Sequence, residues 1–134
     1  MFKKYGPLFI LAGLAIIMSF ASPYFLTPDN LETVAKQTAV IGVLTIGELL
    51  VIITGGIDLT VGATLAFSMV ISAMMLKAGL PIALCLIAAL VIGAVVGYLN
   101  GFVVTKMKLP PFIATLGMSG ILRGASLITT AGLP

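Results

Sequence analysis

Five long apolar runs dominate the chain, and the polar positions between them come in short clusters. The runs cover approximately residues 6–26, 37–54, 60–76, 80–104 and 113–131. A helix needs about 20 residues to cross the hydrocarbon core of a bilayer. The pattern therefore predicts an all-α polytopic membrane protein with about five transmembrane helices in a single transmembrane domain. The first run follows Met1-Phe2-Lys3-Lys4 and carries no charge over residues 5–28. A cleaved signal peptide would share that basic start, but Phe20-Ala21-Ser22-Pro23 is a poor small-x-small cleavage site, which favours a retained span. Pro23 and Thr27-Pro28-Asp29-Asn30 predict a polar connection with room for a short helix opening at Thr27 or Asp29. The third run is short and stops at Lys77-Ala78-Gly79-Leu80-Pro81. The fourth carries no charge over residues 80–105, and a basic loop with Pro110-Pro111 separates it from the fifth.

The pattern is broken most sharply between the second and third runs. Glu48 lies in the second run, and Gly55-Gly56-Ile57-Asp58 divides the second run from the third. A carboxylate at the bilayer centre costs roughly 3 kcal/mol on insertion scales. Each Gly weakens a helix by about 1 kcal/mol relative to Ala. Opened backbone persists at membrane depth where protein covers it or where it lines a watery cavity. The stretch is therefore expected to form the wall or mouth of a polar path.

Composition narrows the class. Of 134 residues, 60% are hydrophobic and only 8% are charged, against about 25% charged in an ordinary soluble domain. The sequence has too few polar residues to cover a soluble core. Histidine and tryptophan are absent and Cys85 is the single cysteine, which excludes an intrachain disulfide and a thiolate metal cluster. The net charge of +3 from seven Lys and Arg residues reports membrane topology rather than nucleic-acid binding. With five crossings and a cytoplasmic N-terminus, Lys3, Lys4, Lys106 and Lys108 fall inside and Lys36 and Lys77 outside. The positive-inside rule favours that orientation, which puts Pro134 outside.

Candidate residues each have a plainer alternative. Asp58 can line the path, or cap the helix that follows through its first free N–H groups. Glu48 can meet solute, or sit as a buried carboxyl bonded to a neighbouring helix. Arg123 is expected to form a structural ion pair with Glu48 or Asp58, since intramembrane charges rarely face lipid and guanidinium suits a bidentate buried pair. Ala89, Gly93, Gly97 and Gly101 recur every four residues, and Gly120 and Gly124 flank Arg123 at the same spacing. Small residues so spaced predict close helix–helix packing. Asn100 lies near the first of these faces and can bond a neighbour. Cys85 and the methionines need only an apolar packing role.

No phosphate-loop, zinc-protease or serine-hydrolase motif is present, and the usual catalytic base, histidine, is missing. The expectation is a non-enzymatic chain without cofactor or metal.

Four blocks carry a resemblance: Ile53-Thr54-Gly55-Gly56-Ile57-Asp58-Leu59-Thr60-Val61-Gly62, Gly97-Tyr98-Leu99-Asn100-Gly101, Lys108-Leu109-Pro110-Pro111-Phe112-Ile113-Ala114-Thr115-Leu116-Gly117 and Leu122-Arg123-Gly124. In order and spacing they resemble the permease subunits of ribose-type monosaccharide ABC importers, within the branched-chain and monosaccharide permease superfamily. Thr60 stands where many members have Ser. The resemblance implies a bacterial inner-membrane protein and a ten-helix pattern of two inverted five-helix halves, of which this chain looks like the N-terminal one. It also implies a second permease subunit or the missing C-terminal half, a cytoplasmic ABC ATPase that hydrolyses ATP, and an extracytoplasmic sugar-binding protein. On this view Glu48, Gly55, Gly56, Asp58, Asn100 and Arg123 shape or support a sugar path.

Two other readings fit the residues alone. A small proton-coupled exporter would use Glu48 as its single membrane carboxylate, but would leave the Lys108-Leu109-Pro110-Pro111 block without a role. A non-transporting membrane scaffold would use the intramembrane charges only to pair with one another.

Overall fold

The computed structural model describes residues 2–132, with side chains over residues 5–132. Among these residues the chain forms five α-helices and no strand: α1 (Phe2–Ala21), α2 (Pro28–Ile53), α3 (Val61–Lys77), α4 (Ile82–Thr105) and α5 (Pro111–Thr129). Three of them, α2, α4 and α5, are long and apolar enough to cross a membrane. The side chains of Lys3 and Lys4, and Pro134, on which the expected orientation partly rests, lie outside the described residues.

Prolines set several of the boundaries. Helix α1 ends at Ala21 rather than near residue 26, because Pro23 biases the residue before it away from helix and offers no N–H of its own. The chain then turns through Phe25 N–H to Ser22 O and Thr27 N–H to Tyr24 O, both 3.2 Å. A helix does open between Thr27 and Asp29, but it is α2 itself, which begins at Pro28 rather than near residue 37. Pro at a helix start loses nothing, since its missing donor would be an orphan there, and Asp29 complements the positive end of the dipole. The polar connection thus continues into the apolar run as one helix. Its exposed i, i+4 pair, Glu32 and Lys36, adds only a few tenths of a kcal/mol, about 0.3–0.5. Pro81 and Pro110, both with extended ψ, lead into α4 and α5.

The chain divides between Thr45 and Ile46 into two units. In the first, the side-chain hydrogen bonds given by α1, the turn and the start of α2 are local, such as Asn30 Nδ2 to Phe25 O at 2.7 Å and Thr33 Oγ1 to Asp29 O at 2.8 Å. No residue of α2 is buried.

In the second unit α3 packs against both α4 and α5, which also meet each other. Ala63, Val96 and Leu122 form its core, with Phe67, Ile92 and Met118 against it. The other buried residues are mostly polar: Thr60, Ser68, Asn100, Thr115 and Ser119, with Cys85 the remaining apolar one. Large apolar side chains such as Leu90, Tyr98 and Ile128 point outward instead. This inside-out distribution suits a bilayer. Lipid tails are as apolar as leucine, so helices associate through close packing and interhelical polar contacts rather than through escape from water.

Candidate functional site

The site begins where α2 stops. Gly55 N–H donates to Ile52 O at 2.9 Å and Gly56 N–H to Val51 O at 3.1 Å, the paired bonds of a Schellman helix end. That motif needs a left-handed residue, and Gly55 supplies it at φ +81°, where an L side chain would be strained. Gly56 is limited by space: an added Cβ would stand 3.1 Å from Val51 Cγ1. The glycine pair is therefore the device that ends one helix inside an apolar run and frees residues 57–60 from regular structure.

Three contacts then tie the freed segment down. Asp58 Oδ1 accepts from the Thr60 N–H at 2.7 Å and from the Thr60 hydroxyl. Asn100 Nδ2, from α4, donates to Thr60 Oγ1 at 3.0 Å. The Thr115 hydroxyl of α5 lies 3.2 Å from Ile57 O and 2.9 Å from Pro111 O, so its one hydrogen is divided between the segment and its own helix. Thr60 is 2% exposed, the most enclosed side chain at the break. Thr60 is thus held by the segment itself and by α4, while α5 reaches the same segment at Ile57.

The expectations for individual residues resolve differently. Asp58 was expected either to line a path or to cap α3. Thr60 is the N-cap, and Asp58 bends the approach to it through an Asx turn onto the N–H two residues ahead. Asn100 is buried and bonded across the bundle. Glu48 is half-buried on α2 with its Oε2 shielded and accepting no hydrogen bond, so the expected bond to a neighbouring helix is not formed among the described residues. Arg123 is exposed on α5 and, among the described residues, pairs with neither Glu48 nor Asp58. The reason is angular. Arg123 is the residue after buried Leu122, and one residue turns a helix by about 100°, which carries the guanidinium off the packed face.

The small-residue stripe needs the same correction. Ala89 and Gly93 are half-buried, whereas Gly97 and Gly101 are exposed. Gly93, Gly97 and Gly101 each follow Ile92, Val96 and Asn100 by one residue, which turns them about 100° round α4 from those positions. The packed face is instead the one shared by Cys85, Ile92, Val96 and Asn100. On α5, Gly120 is exposed and Gly124 half-buried. A Cβ placed at Gly93, Gly97, Gly101, Gly120 or Gly124 would meet nothing within 4 Å. The close packing expected at these glycines is absent from the described residues.

Thr60 and Thr115 are the residues that motif reading passed over as chemistry. The available signal was the spacing of Thr115, Ser119 and Leu122, an i, i+4, i+7 set that marks one helix face and is buried throughout. Away from the break, Tyr98, Gly101, Phe102, Thr105 and Lys106 line a groove of about 310 Å³ along the last turns of α4.

Residues 30–133 match the family model described as the permease component of the branched-chain amino acid transport system. The chain belongs to this family. It is a multi-pass membrane protein, and the family is one of transport components rather than enzymes. Among curated relatives, the ribose import permease protein RbsC of Bacillus subtilis (strain 168) is 43% identical over 132 residues, covering 98% of this chain and 41% of its own length. The D-allose transport system permease protein AlsC of Escherichia coli (strain K12) is 40% identical, over 93% of this chain and 39% of that relative. The fructose import permease protein FrcC of Rhizobium meliloti is 41% identical, over 80% and 30% respectively. The chain spans about two fifths of the length of the first two relatives. No solved structure matches it.

Proposed function

We propose that the chain forms part of the membrane permease of an ATP-binding-cassette importer that moves a monosaccharide, with ribose the first candidate, across the bacterial plasma membrane. Similarity to permeases for ribose, allose and fructose supports the sugar class. The observation that carries the reading to particular residues is the break at Gly55 and Gly56, with Asp58 half-buried beside it. Such a break is sustained at membrane depth where protein covers it or where it lines a polar cavity; here α4 and α5 cover part of it and Asp58 stays half-buried at its side. A carboxylate accepts hydrogen bonds from the hydroxyl groups that a sugar offers in plenty.

In this reading the chain provides about five of the permease's spans, with α3, at 17 residues, crossing at the lower limit of length. Lys106 and Lys108 lie on the cytoplasmic side with the N-terminus. The remaining partners are a second permease subunit or a C-terminal half of inverted topology, a cytoplasmic ABC ATPase, an extracytoplasmic sugar-binding protein and the surrounding lipid. Gly55 and Gly56 shape the path, Asp58 meets the solute, Asn100 supports it, and Glu48 adds a second acid from α2.

The test is uptake of labelled ribose, allose and fructose by source cells with and without the gene. Loss of uptake of one of them, restored by the gene on a plasmid, is the expected result. Wild-type uptake of all three in the deletion strain would overturn the sugar assignment. Labelling of a Lys108→Cys variant in intact cells by a membrane-impermeant thiol reagent tests orientation, and no labelling is expected.

A further inference from the structure

The three polar groups at the break admit only one direction of hydrogen bonding. A threonine hydroxyl has one hydrogen to give. At Thr60 it goes to Asp58 Oδ1. The Asn100 group facing Thr60 Oγ1 must therefore be the donating NH₂. The chain of bonds runs one way, from Asn100 to Thr60 to Asp58, and ends on a carboxylate oxygen that receives two hydrogen bonds, one from the hydroxyl and one from the Thr60 amide. The second oxygen, Oδ2, accepts nothing among the described residues, on a side chain that is only half-buried.

We propose that Thr60 and Asn100 are positioning residues that make the Asp58 carboxylate one-sided, with Oδ1 locked into the fold and Oδ2 presented as an acceptor to hydroxyl donors of a neutral, polyhydroxylated solute. The solute half of this statement rests on the permease reading above; the lock does not. The arrangement has a clear physical use. An exposed carboxylate on a backbone free of helix rotates among several orientations, and ordering it would cost binding affinity. Here Asn100 and Thr60 place it in advance, using a hydroxyl that is buried between helices and so shielded from competing water. Thr115, reaching Ile57 O from α5, steadies the same segment from the other side.

Three variants separate the lock from the solute contact. Thr60→Val keeps the shape and removes the hydroxyl. Thr60→Ser keeps the hydroxyl. Asp58→Asn can still accept through Oδ1 but turns the presented atom from acceptor to donor. Two readouts are taken: amide hydrogen exchange over residues 57–64 of the full chain in lipid nanodiscs, and the KM and maximal rate of sugar uptake in source cells at matched membrane levels. Losing a buried hydrogen bond to a charged group is expected to speed exchange of the Thr60 amide by about tenfold to hundredfold in Thr60→Val. Amides in the middle of α4 and α5 should be unchanged, and Thr60→Ser should restore most of the protection. Asp58→Asn is expected to keep most of the protection while raising KM tenfold or more, and Thr60→Val should raise KM in the same direction. Wild-type exchange in Thr60→Val, or faster exchange spread evenly over α3, α4 and α5, would overturn the lock. Retained protection with wild-type KM in Asp58→Asn would overturn the presented oxygen. If deleting the gene leaves uptake untouched, the permease reading fails, while the exchange comparison still decides the lock.

Discussion

The two units of the chain use similar residues to different ends. In the first, serine, threonine and asparagine side chains bond backbone carbonyls five residues away or fewer, as Ser19 does to Ala15 O and Thr45 to Ile41 O. In the second, Thr60 and Asn100 bond each other across 40 residues, and Ser72 reaches Cys85 O. A local bond tunes a single helix. A distant one fixes how helices sit together, and in lipid, where apolar burial gives little drive, such bonds and tight packing decide the arrangement. The second unit therefore has a tertiary structure that mutation can break.

The largest effect that would sharpen this contrast is expected at Leu122, 5% exposed in the three-residue core. Leu122→Ala should destabilise the second unit by about 2–4 kcal/mol, read as a shift in denaturant unfolding in detergent micelles. The same change at exposed Leu11 should be nearly silent. Next is Gly55→Ala, which forces an L side chain to φ +81° at a cost of about 1–2 kcal/mol, with loss of protection in the last turn of α2 by hydrogen exchange. Gly97→Ala carries a different prediction. Nothing lies within 4 Å of its added Cβ, so the change should stabilise α4 slightly, by up to about 1 kcal/mol through helix propensity. A loss of stability there would mean that the glycine face meets a partner helix in the membrane. The smallest effect is Glu32→Gln, breaking a pair whose side chains are 65% and 73% exposed. It should change stability by less than about 0.5 kcal/mol and vanish at high salt.

The reach of sequence reading differed from one feature to the next. Helix content was plain, since uncharged runs in so apolar a chain leave helix as the only form that satisfies its own backbone in lipid. The glycine break at residues 55 and 56 was equally plain, because a helix end of this kind is written in local residues. The end of α1 and the extent of α2 were less so: Pro23 cut one helix short, and the helix expected to open at Thr27 or Asp29 starts at Pro28 but runs on unbroken into the second apolar run. Arg123 shows where residue type misleads. A buried ion pair was the expected use of an intramembrane arginine, but the face occupied by Leu122 turned it outward. Thr115 and Thr60 show the converse, ordinary hydroxyls made important by their neighbours.

What the sequence by itself determined is the medium and the grammar of this protein: helices for a membrane, one permitted interruption, and acids placed beside it. These follow from the cost of exposing backbone and charge to lipid, which each residue incurs wherever the rest of the chain goes. Only the tertiary structure decided which face of each helix turns inward, and with it that Asn100 meets Thr60, that Arg123 stands apart from both acids, and that the small residues of α4 stand to one side of the packed seam. Those outcomes depend on rotations of a single residue's width about each helix axis, and they are settled only when three helices pack at once.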